Sequence, residues 1–226
     1  MMWIVLLGSL ALSFWASSRV KSQFRRYSTV AAWSGLTGAQ AARRLLNEAG
    51  LHDVEVVLTE GELTDHYDPS SRTLALSEPV YHGNSLSAVG VAAHEAGHAF
   101  QHAQAYAPLM WRMAAVRTTA TASWVVMIAP LVLGLMGKFV LGLTVATVCL
   151  GILMLFNLVT LPVEFDASRR AKLALVDSRI IAPGPESDGV DAVLKAAGLT
   201  YVAAFLSSLG WFALRLFELL GLSNDE

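Results

Sequence analysis

The sequence has a single cysteine, Cys149, among its 226 residues. One cysteine excludes a disulfide framework and a cysteine-rich metal site. Charge is also scarce: 15% of the residues are charged, against roughly 25% in an ordinary soluble domain. The 16 basic and 18 acidic residues give a formal net charge of −2, which excludes the basic balance of a nucleic-acid binder. An apolar content of 54% rules out a disordered chain. It leaves either one large apolar core or a set of membrane spans.

Four long segments contain no charged side chain, namely 1–18, 118–137, 139–163 and 196–214. Each approaches or exceeds the roughly 20 apolar residues that a helix needs to cross the hydrocarbon layer. A buried helix of a soluble core would interrupt such runs with polar residues at each turn. The second and third runs meet at Gly137-Lys138, which predicts a helical hairpin in the membrane.

The distribution of basic residues predicts the orientation. A cleaved signal peptide carries its positive charge before the apolar stretch, whereas here four basic residues at 19–26 follow the first run. Fourteen of the sixteen basic residues lie in 19–117 and 164–195, and the other two are Lys138 and Arg215. By the positive-inside rule, both polar segments face the cytoplasm of a multi-pass protein in the plasma or inner membrane.

The polar segment 37–106 has the pattern of an α+β module. The expected elements are a helix from Thr37 to Gly50, strands at 54–58 and 72–77, a turn at 68–71, and a long helix from Asn84 or Ser85 to about Ala105.

The long helix contains His94-Glu95-Ala96-Gly97-His98. Histidines at i and i+4 project from one helical face, so both imidazoles reach a single Zn²⁺. Glu95 lies at a different azimuth, beside such an ion rather than on it, and from there it accepts a proton from zinc-bound water. The apolar run at 89–93 favours this interpretation over that of two ordinary histidines.

A catalytic zinc needs a third protein ligand. His102 lies about 12 Å along the helix axis from His94, too far for metal bonds of about 2 Å. The longer HExxHxxGxxH pattern is absent, because Gln101 and Gln104 occupy its glycine and histidine positions.

Glu164 is the best candidate for the third ligand. It follows the run 139–163 directly, and a membrane hairpin returns the chain to the side from which it entered. Two alternatives stay open. In the first, Glu164 only marks the lipid–water boundary and pairs with Arg169 or Arg170. In the second, Asp166 is the ligand, or it supports a ligand by accepting a hydrogen bond from a histidine N–H.

Four strings carry a resemblance to a known family: GELTDHYDP at 61–69, VYHG at 80–83, AAHEAGHAFQH at 92–102 and LPVEFDAS at 161–168. Over about residues 37–208 the chain resembles the YugP-type family of integral-membrane neutral zinc metallopeptidases. That family is in turn similar to the HtpX and prenyl-protease clan of gluzincins.

The resemblance implies that His94, His98 and Glu164 bind one Zn²⁺ per chain and that Glu95 is the catalytic acid and base. In the wider clan an aspartate follows the third ligand by four residues, whereas this chain has Ser168 there. The role of supporting a ligand therefore stays open between Ser168 and Asp166.

The sequence predicts a mainly α membrane protein with about four transmembrane helices and a small cytoplasmic α+β, zincin-like module that carries HExxH. The predicted regions are an N-terminal anchor at 1–18, a cytoplasmic catalytic module at 19–117, a transmembrane hairpin at 118–163, a cytoplasmic segment with the third ligand at 164–195, and a C-terminal transmembrane helix at 196–222.

The expected function is hydrolysis of protein or peptide substrates at the cytoplasmic membrane face by zinc-activated water, with Glu95 as general base. The expected surroundings are a lipid bilayer and no nucleic acid. The alternative is a non-proteolytic membrane assembly or scaffold protein that retains a zinc site, which would have no use for a general base.

Three subsidiary expectations complete the hypothesis. An oxyanion donor is sought among Tyr81, His82, Arg169 and Tyr201. The strand at 72–77 is expected either to present an open edge to an extended peptide or to be an internal strand. The polar residues Asp65, His66 and Asp68 are interpreted as a turn rather than as a second metal site.

Overall fold

The computed structural model describes residues 1–61 and 63–221 of the chain. Its elements are α1 (Met2–Tyr27), α2 (Gly38–Glu48), β1 (Glu55–Thr59), β2 (His66–Asp68), β3 (Thr73–Ser77), α3 (Glu78–Tyr81), α4 (Leu86–Ala103), α5 (Ala107–Leu135), α6 (Phe139–Asp177) and α7 (Pro185–Leu219). Glu62, within the string at 61–69, and Leu222, at the end of the predicted last span, lie outside the described residues.

The chain divides into two units. The first, called here the apolar unit, contains residues 1–16, 110–162 and the described residues from Thr200 onwards. The second, called the sheet unit, contains residues 17–109 and 163–199.

Four helices, α1, α5, α6 and α7, are long and apolar enough to cross a membrane. Many of their apolar side chains are exposed rather than packed in a core, for example Leu131, Leu135 and Val140. Soluble proteins rarely expose an apolar surface of this extent to water, whereas helices that span a membrane expose one to lipid. The expectation of a mainly helical protein with four such helices is confirmed.

Small residues bring the helices of the apolar unit together. A Cβ added at Gly142 of α6 would lie 2.9 Å from the Cα of Pro130 in α5, so the two backbones are in contact. The Asn157 side chain of α6 donates a hydrogen bond to Ser208 Oγ of α7 at 3.1 Å. Close backbone approach and interhelical hydrogen bonds are the interactions that hold helices together in lipid.

The sheet has the order β1-β3-β2, with β1 parallel and β2 antiparallel to β3. The strand expected at 72–77 is therefore the internal strand, and the expectation that it presents an open edge is wrong. The physical reason is β2, a three-residue strand that covers the side of β3 opposite β1. Leu74 and Leu76 of β3 are fully buried, as an internal strand requires.

Asp65, just before β2, and Asp68, its last residue, accept local hydrogen bonds. Asp65 accepts hydrogen bonds from the amide and the hydroxyl of Ser77 at 2.8 and 3.0 Å. Asp68 accepts from the amide of Ser70 at 2.8 Å and from the hydroxyl of Ser71 at 2.7 Å. His66 and Asp68 lie in β2, so the interpretation of Asp65, His66 and Asp68 as a turn is wrong, and the turn follows at 69–72.

Two capped helices pack on the sheet. Thr37 caps α2 with a capping box, and Gly50 follows the helix at a φ of +74° that favours glycine. Of the two candidate caps of the long helix, Ser85 is the one observed, because its hydroxyl accepts from the amide of Ala88. Most of α4 is buried in the core of the sheet unit, so side chains on α4 are held in a fixed position.

Candidate metal centre

The two histidines of the HExxH motif lie one turn apart on α4. Their ring centroids are 4.7 Å apart and the rings meet edge to face. The His94 and His98 side chains are 13% and 11% exposed. The i and i+4 spacing therefore places both rings on the same side of a helix that is otherwise packed into the core.

Glu164 of α6 joins the two histidines. Its side chain is 2% exposed, and its Oε2 lies 3.2 Å from His94 Nε2 and 3.6 Å from His98 Nε2. One ligand atom from each of the three residues lies within 4.8 Å of the others. The structure thus brings together the three residues that the sequence analysis proposed as ligands.

Asp166 has different partners. Arg169 and Arg170, the partners considered above for Glu164, both form ion pairs with Asp166. Asp166 also accepts a hydrogen bond from the Gln101 side chain. Among the described residues, the three-membered group that can hold a metal contains Glu164 and not Asp166.

A close approach of two backbones positions Glu164. A Cβ added at Gly97 of α4 would lie 2.6 Å from the carbonyl oxygen of Ala167 in α6. Such a distance is too short for any side chain, so glycine at position 97 is what allows α6 to reach the histidines. Ala167 itself is fully buried in this contact.

The local electrostatics favour a positive charge between these side chains. Burial lowers the pKa of His98, but the hydrogen bond to Glu164 and the nearby Glu95 carboxylate raise it more, so the net shift is upward from its ordinary value. Groups that stabilise a protonated imidazole also stabilise a bound cation, which requires the imidazole to be neutral.

The donor set fits a zinc ion. Two imidazole nitrogens and one carboxylate oxygen form a common ligand set of catalytic zinc. Tetrahedral bonds of about 2.1 Å place two ligand atoms about 3.4 Å apart. The two distances from Glu164 Oε2 to the histidine nitrogens, 3.2 and 3.6 Å, lie on either side of that value.

Each histidine has a partner on its second ring nitrogen. Ser168 Oγ lies 3.1 Å from His94 Nδ1. Gln101 Oε1 lies 3.1 Å from His98 Nδ1, and the Gln101 amide also contacts Asp166. Ser168 and Asp166 therefore each support one histidine. Ser168 contacts His94 directly, and Asp166 reaches His98 through Gln101.

Gln101 is the site residue that the sequence analysis missed as a contributor. In the sequence it stands out only as the residue at the glycine position of a longer motif. The available signal was its spacing, because a residue at i+3 from His98 lies on the same face of the helix.

The remaining candidates have other contacts. Glu95 is 8% exposed, and its carboxylate accepts no hydrogen bond from the residues that the structure describes. His102 Nδ1 pairs with the hydroxyl of Tyr67 at 3.0 Å, away from the three-membered group, as the helix rise predicted. The rings of Tyr81 and His82 contact each other edge to face.

Fold and site together define a membrane protein with a buried two-histidine, one-glutamate group that can hold a metal ion. The chain belongs to the family described as "Putative neutral zinc metallopeptidase", which matches residues 2–221. It is similar to the "Putative membrane protease YugP" of Bacillus subtilis (strain 168), with 49% identity over 208 residues, 90% of this chain and 89% of that protein. No solved structure matches the chain at a significant level. The resemblance inferred from the sequence strings is confirmed.

The close contact at Gly97 predicts that a larger residue at this position weakens metal binding. Alanine is favoured over glycine within a helix by roughly 1 kcal/mol, so Gly97→Ala would stabilise α4 in isolation. In the protein the added methyl group meets the Ala167 backbone, and we expect α6 to be displaced and most of the bound zinc to be lost. Metal content per chain after purification in detergent measures this effect.

Gly90→Ala is the matched control. It makes the same change on the same helix, but the nearest atom to its added Cβ is a methyl group of the Val190 side chain at 3.3 Å, which can move. We expect wild-type zinc content for Gly90→Ala. Equal zinc content in both variants would contradict the role of the backbone contact.

Proposed function

We propose that this protein is a membrane-embedded zinc metalloprotease that hydrolyses peptide bonds at the cytoplasmic face of the membrane. One Zn²⁺ per chain is held by His94, His98 and Glu164, and Glu95 is the general base. The observation that carries this proposal is the buried group of three ligand atoms within 4.8 Å of one another, in a chain of a zinc metallopeptidase family.

The residues around the proposed zinc ion have separate roles in the reaction. A bound zinc ion supplies the Lewis acidity that makes a water nucleophilic near neutral pH and polarises the scissile carbonyl. Glu95 takes a proton from the attacking water and passes it to the leaving amine. Its carboxylate is suited to this because it is largely shielded from solvent and accepts no hydrogen bond from the described residues. Ser168 and Gln101 hold the two histidine rings in place.

Two features support a catalytic centre over the alternative of a scaffold with structural zinc. Structural zinc sites normally have four protein ligands, whereas the group found among the described residues has three. A scaffold also has no need for a buried carboxylate beside the ligands. We also propose that the α+β module, in which α4 carries HExxH, has a zincin-like arrangement.

The cytoplasmic assignment is supported by charge. The sheet unit contains the metal-binding group and twelve of the sixteen basic residues. It includes most of the segments 19–117 and 164–195, which we propose as the cytoplasmic regions between the spans 1–18, 118–163 and 196–222. Basic residues that flank spans remain on the cytoplasmic side during insertion.

The first test concerns the general base. Glu95→Gln keeps the size of the side chain but cannot take a proton, so cleavage of unfolded casein should fall by about 10²- to 10⁴-fold. Bound zinc should stay at the wild-type level, because Glu95 is not a ligand. Glu55→Gln is the control, since Glu55 is an exposed residue of β1, and it should retain full activity. Equal activity of wild type and Glu95→Gln would reject the protease mechanism.

The second test concerns the third ligand. Glu164→Ala removes one of three ligands, and the purified protein should contain little zinc while it remains inserted in the membrane. Glu55→Ala again serves as the control and should bind zinc normally. Full zinc occupancy in Glu164→Ala would show that the third ligand is another residue, with Asp166 the next candidate.

The third test concerns orientation. In a Cys149→Ser background, a cysteine at the exposed position 70 (Ser70→Cys) should not react with a membrane-impermeant maleimide added to intact cells. A cysteine at the exposed position 138 (Lys138→Cys), in the hairpin loop, should react. The reverse labelling pattern would place the metal centre outside the cytoplasm.

A further inference from the structure

Gln101 is a fully buried amide with three polar contacts. Its side chain has 0% exposure. Its Oε1 lies 3.1 Å from His98 Nδ1, and its Nε2 donates to the Val163 carbonyl at 2.8 Å and to Asp166 Oδ2 at 3.0 Å. A buried glutamine with partners on both ends of the amide is held in a single orientation.

The chemistry of these partners fixes which end of the amide faces the histidine. A backbone carbonyl and a carboxylate only accept hydrogen bonds, and an amide NH₂ group has two hydrogens to donate. If the amide were flipped, its oxygen would face the Val163 carbonyl and the Asp166 carboxylate, two groups that can only accept, and its NH₂ group would lose both acceptors. An oxygen placed against two other acceptors is repelled by both. The amide oxygen must therefore face His98.

An amide oxygen that faces His98 Nδ1 requires a hydrogen on that nitrogen. A neutral imidazole has one N–H, so Nε2 then presents its lone pair. Nε2 is also the nitrogen that lies 3.6 Å from Glu164. We propose that Gln101 is a positioning residue that holds His98 in the Nδ1–H tautomer and so keeps Nε2 available for the metal. This inference rests on the proposed metal site.

His94 has a different kind of partner. The hydroxyl of Ser168, 3.1 Å from His94 Nδ1, can donate or accept, so it orients the ring without selecting a tautomer. Gln101, by contrast, selects one tautomer of His98. Both hydrogens of its amide already have acceptors, so only its oxygen is left to face His98 Nδ1.

Asp166 anchors the amide from α6. Its carboxylate accepts from Gln101 and from the guanidinium groups of Arg169 and Arg170. Two cations hold the carboxylate in place, and the carboxylate in turn fixes the position of the Gln101 NH₂ group. The tautomer of a histidine on α4 thus depends on a charge cluster on the neighbouring helix.

The direct test uses wild-type protein. The protein is labelled with ¹⁵N-histidine, and zinc is removed by a chelator. Long-range ¹H–¹⁵N correlation NMR then distinguishes a protonated ring nitrogen from an unprotonated one. A His98→Gln variant identifies which signals belong to His98 among the six histidines. At a pH where His98 is neutral, we expect hydrogen on Nδ1. A bare Nδ1 with hydrogen on Nε2 would overturn the proposal.

A pair of variants tests the consequence for metal binding. Gln101→Met preserves side-chain length but has no acceptor, so His98 should populate both tautomers and zinc affinity should fall by about 10- to 100-fold. Gln23→Met makes the same change on α1, outside the group formed by His94, His98, Glu164, Gln101 and Asp166, and should bind zinc as the wild type does. Affinity is measured by competition with a chelator.

Unchanged zinc affinity and an unchanged tautomer in folded Gln101→Met would also overturn the proposal. If Gln101→Met does not fold, the measurement on the wild-type protein decides. Neither readout requires proteolysis. A protein without casein cleavage but with the expected tautomer would reject the proposed function and leave the role of Gln101 intact.

Discussion

The contact between the backbones of α4 and α6 is the constraint on which the candidate metal centre depends. At Gly97 and Ala167 the two helices approach so closely that no side chain fits between them. Each helix presents several polar side chains within about one turn of this point, and the short distance lets them meet. Glu164 reaches the histidines from one side of the contact, and Ser168 reaches His94 from the other. A wider spacing of the helices would separate all of these pairs together.

The interior position of Glu164 explains why the group is suited to a cation. A carboxylate at 2% exposure loses most of its solvation, and burial of such a charge is costly unless it is paired. The imidazoles of His94 and His98 lie beside it, and they pair with it either as protonated rings or as fellow ligands of a metal. The upward shift in the pKa of His98 reflects the same demand for positive charge. A divalent cation meets that demand with both imidazoles neutral.

Much of this arrangement could be predicted from the sequence, and the failures have clear physical causes. Uncharged runs of about 20 residues have few stable arrangements outside a membrane, so the four long helices were predictable. The motif spacing gave His94 and His98, and hairpin topology gave Glu164. The strand at 66–68 was missed because its three residues lie within turn-forming sequence, and that omission left an open edge on β3 as an alternative to the internal strand that the structure shows. The contacts of Gln101 with Val163 and Asp166 depend on tertiary packing, which no local pattern encodes.

The division of roles between the helices has a consequence for how such a site is specified. The HExxH motif on α4 sets the face and the spacing of two ligands, but it specifies neither the third ligand nor the tautomers. Those depend on the register of α6, where Glu164 and Ser168 are separated by one turn and Asp166 lies between them. A shift of α6 by a single residue would rotate its side chains by about 100° and remove Glu164, the Ser168 contact to His94 and the Asp166 anchor of Gln101 at once. The group that can hold a metal is therefore a property of two helices in one register, and the motif alone is an incomplete signature of it.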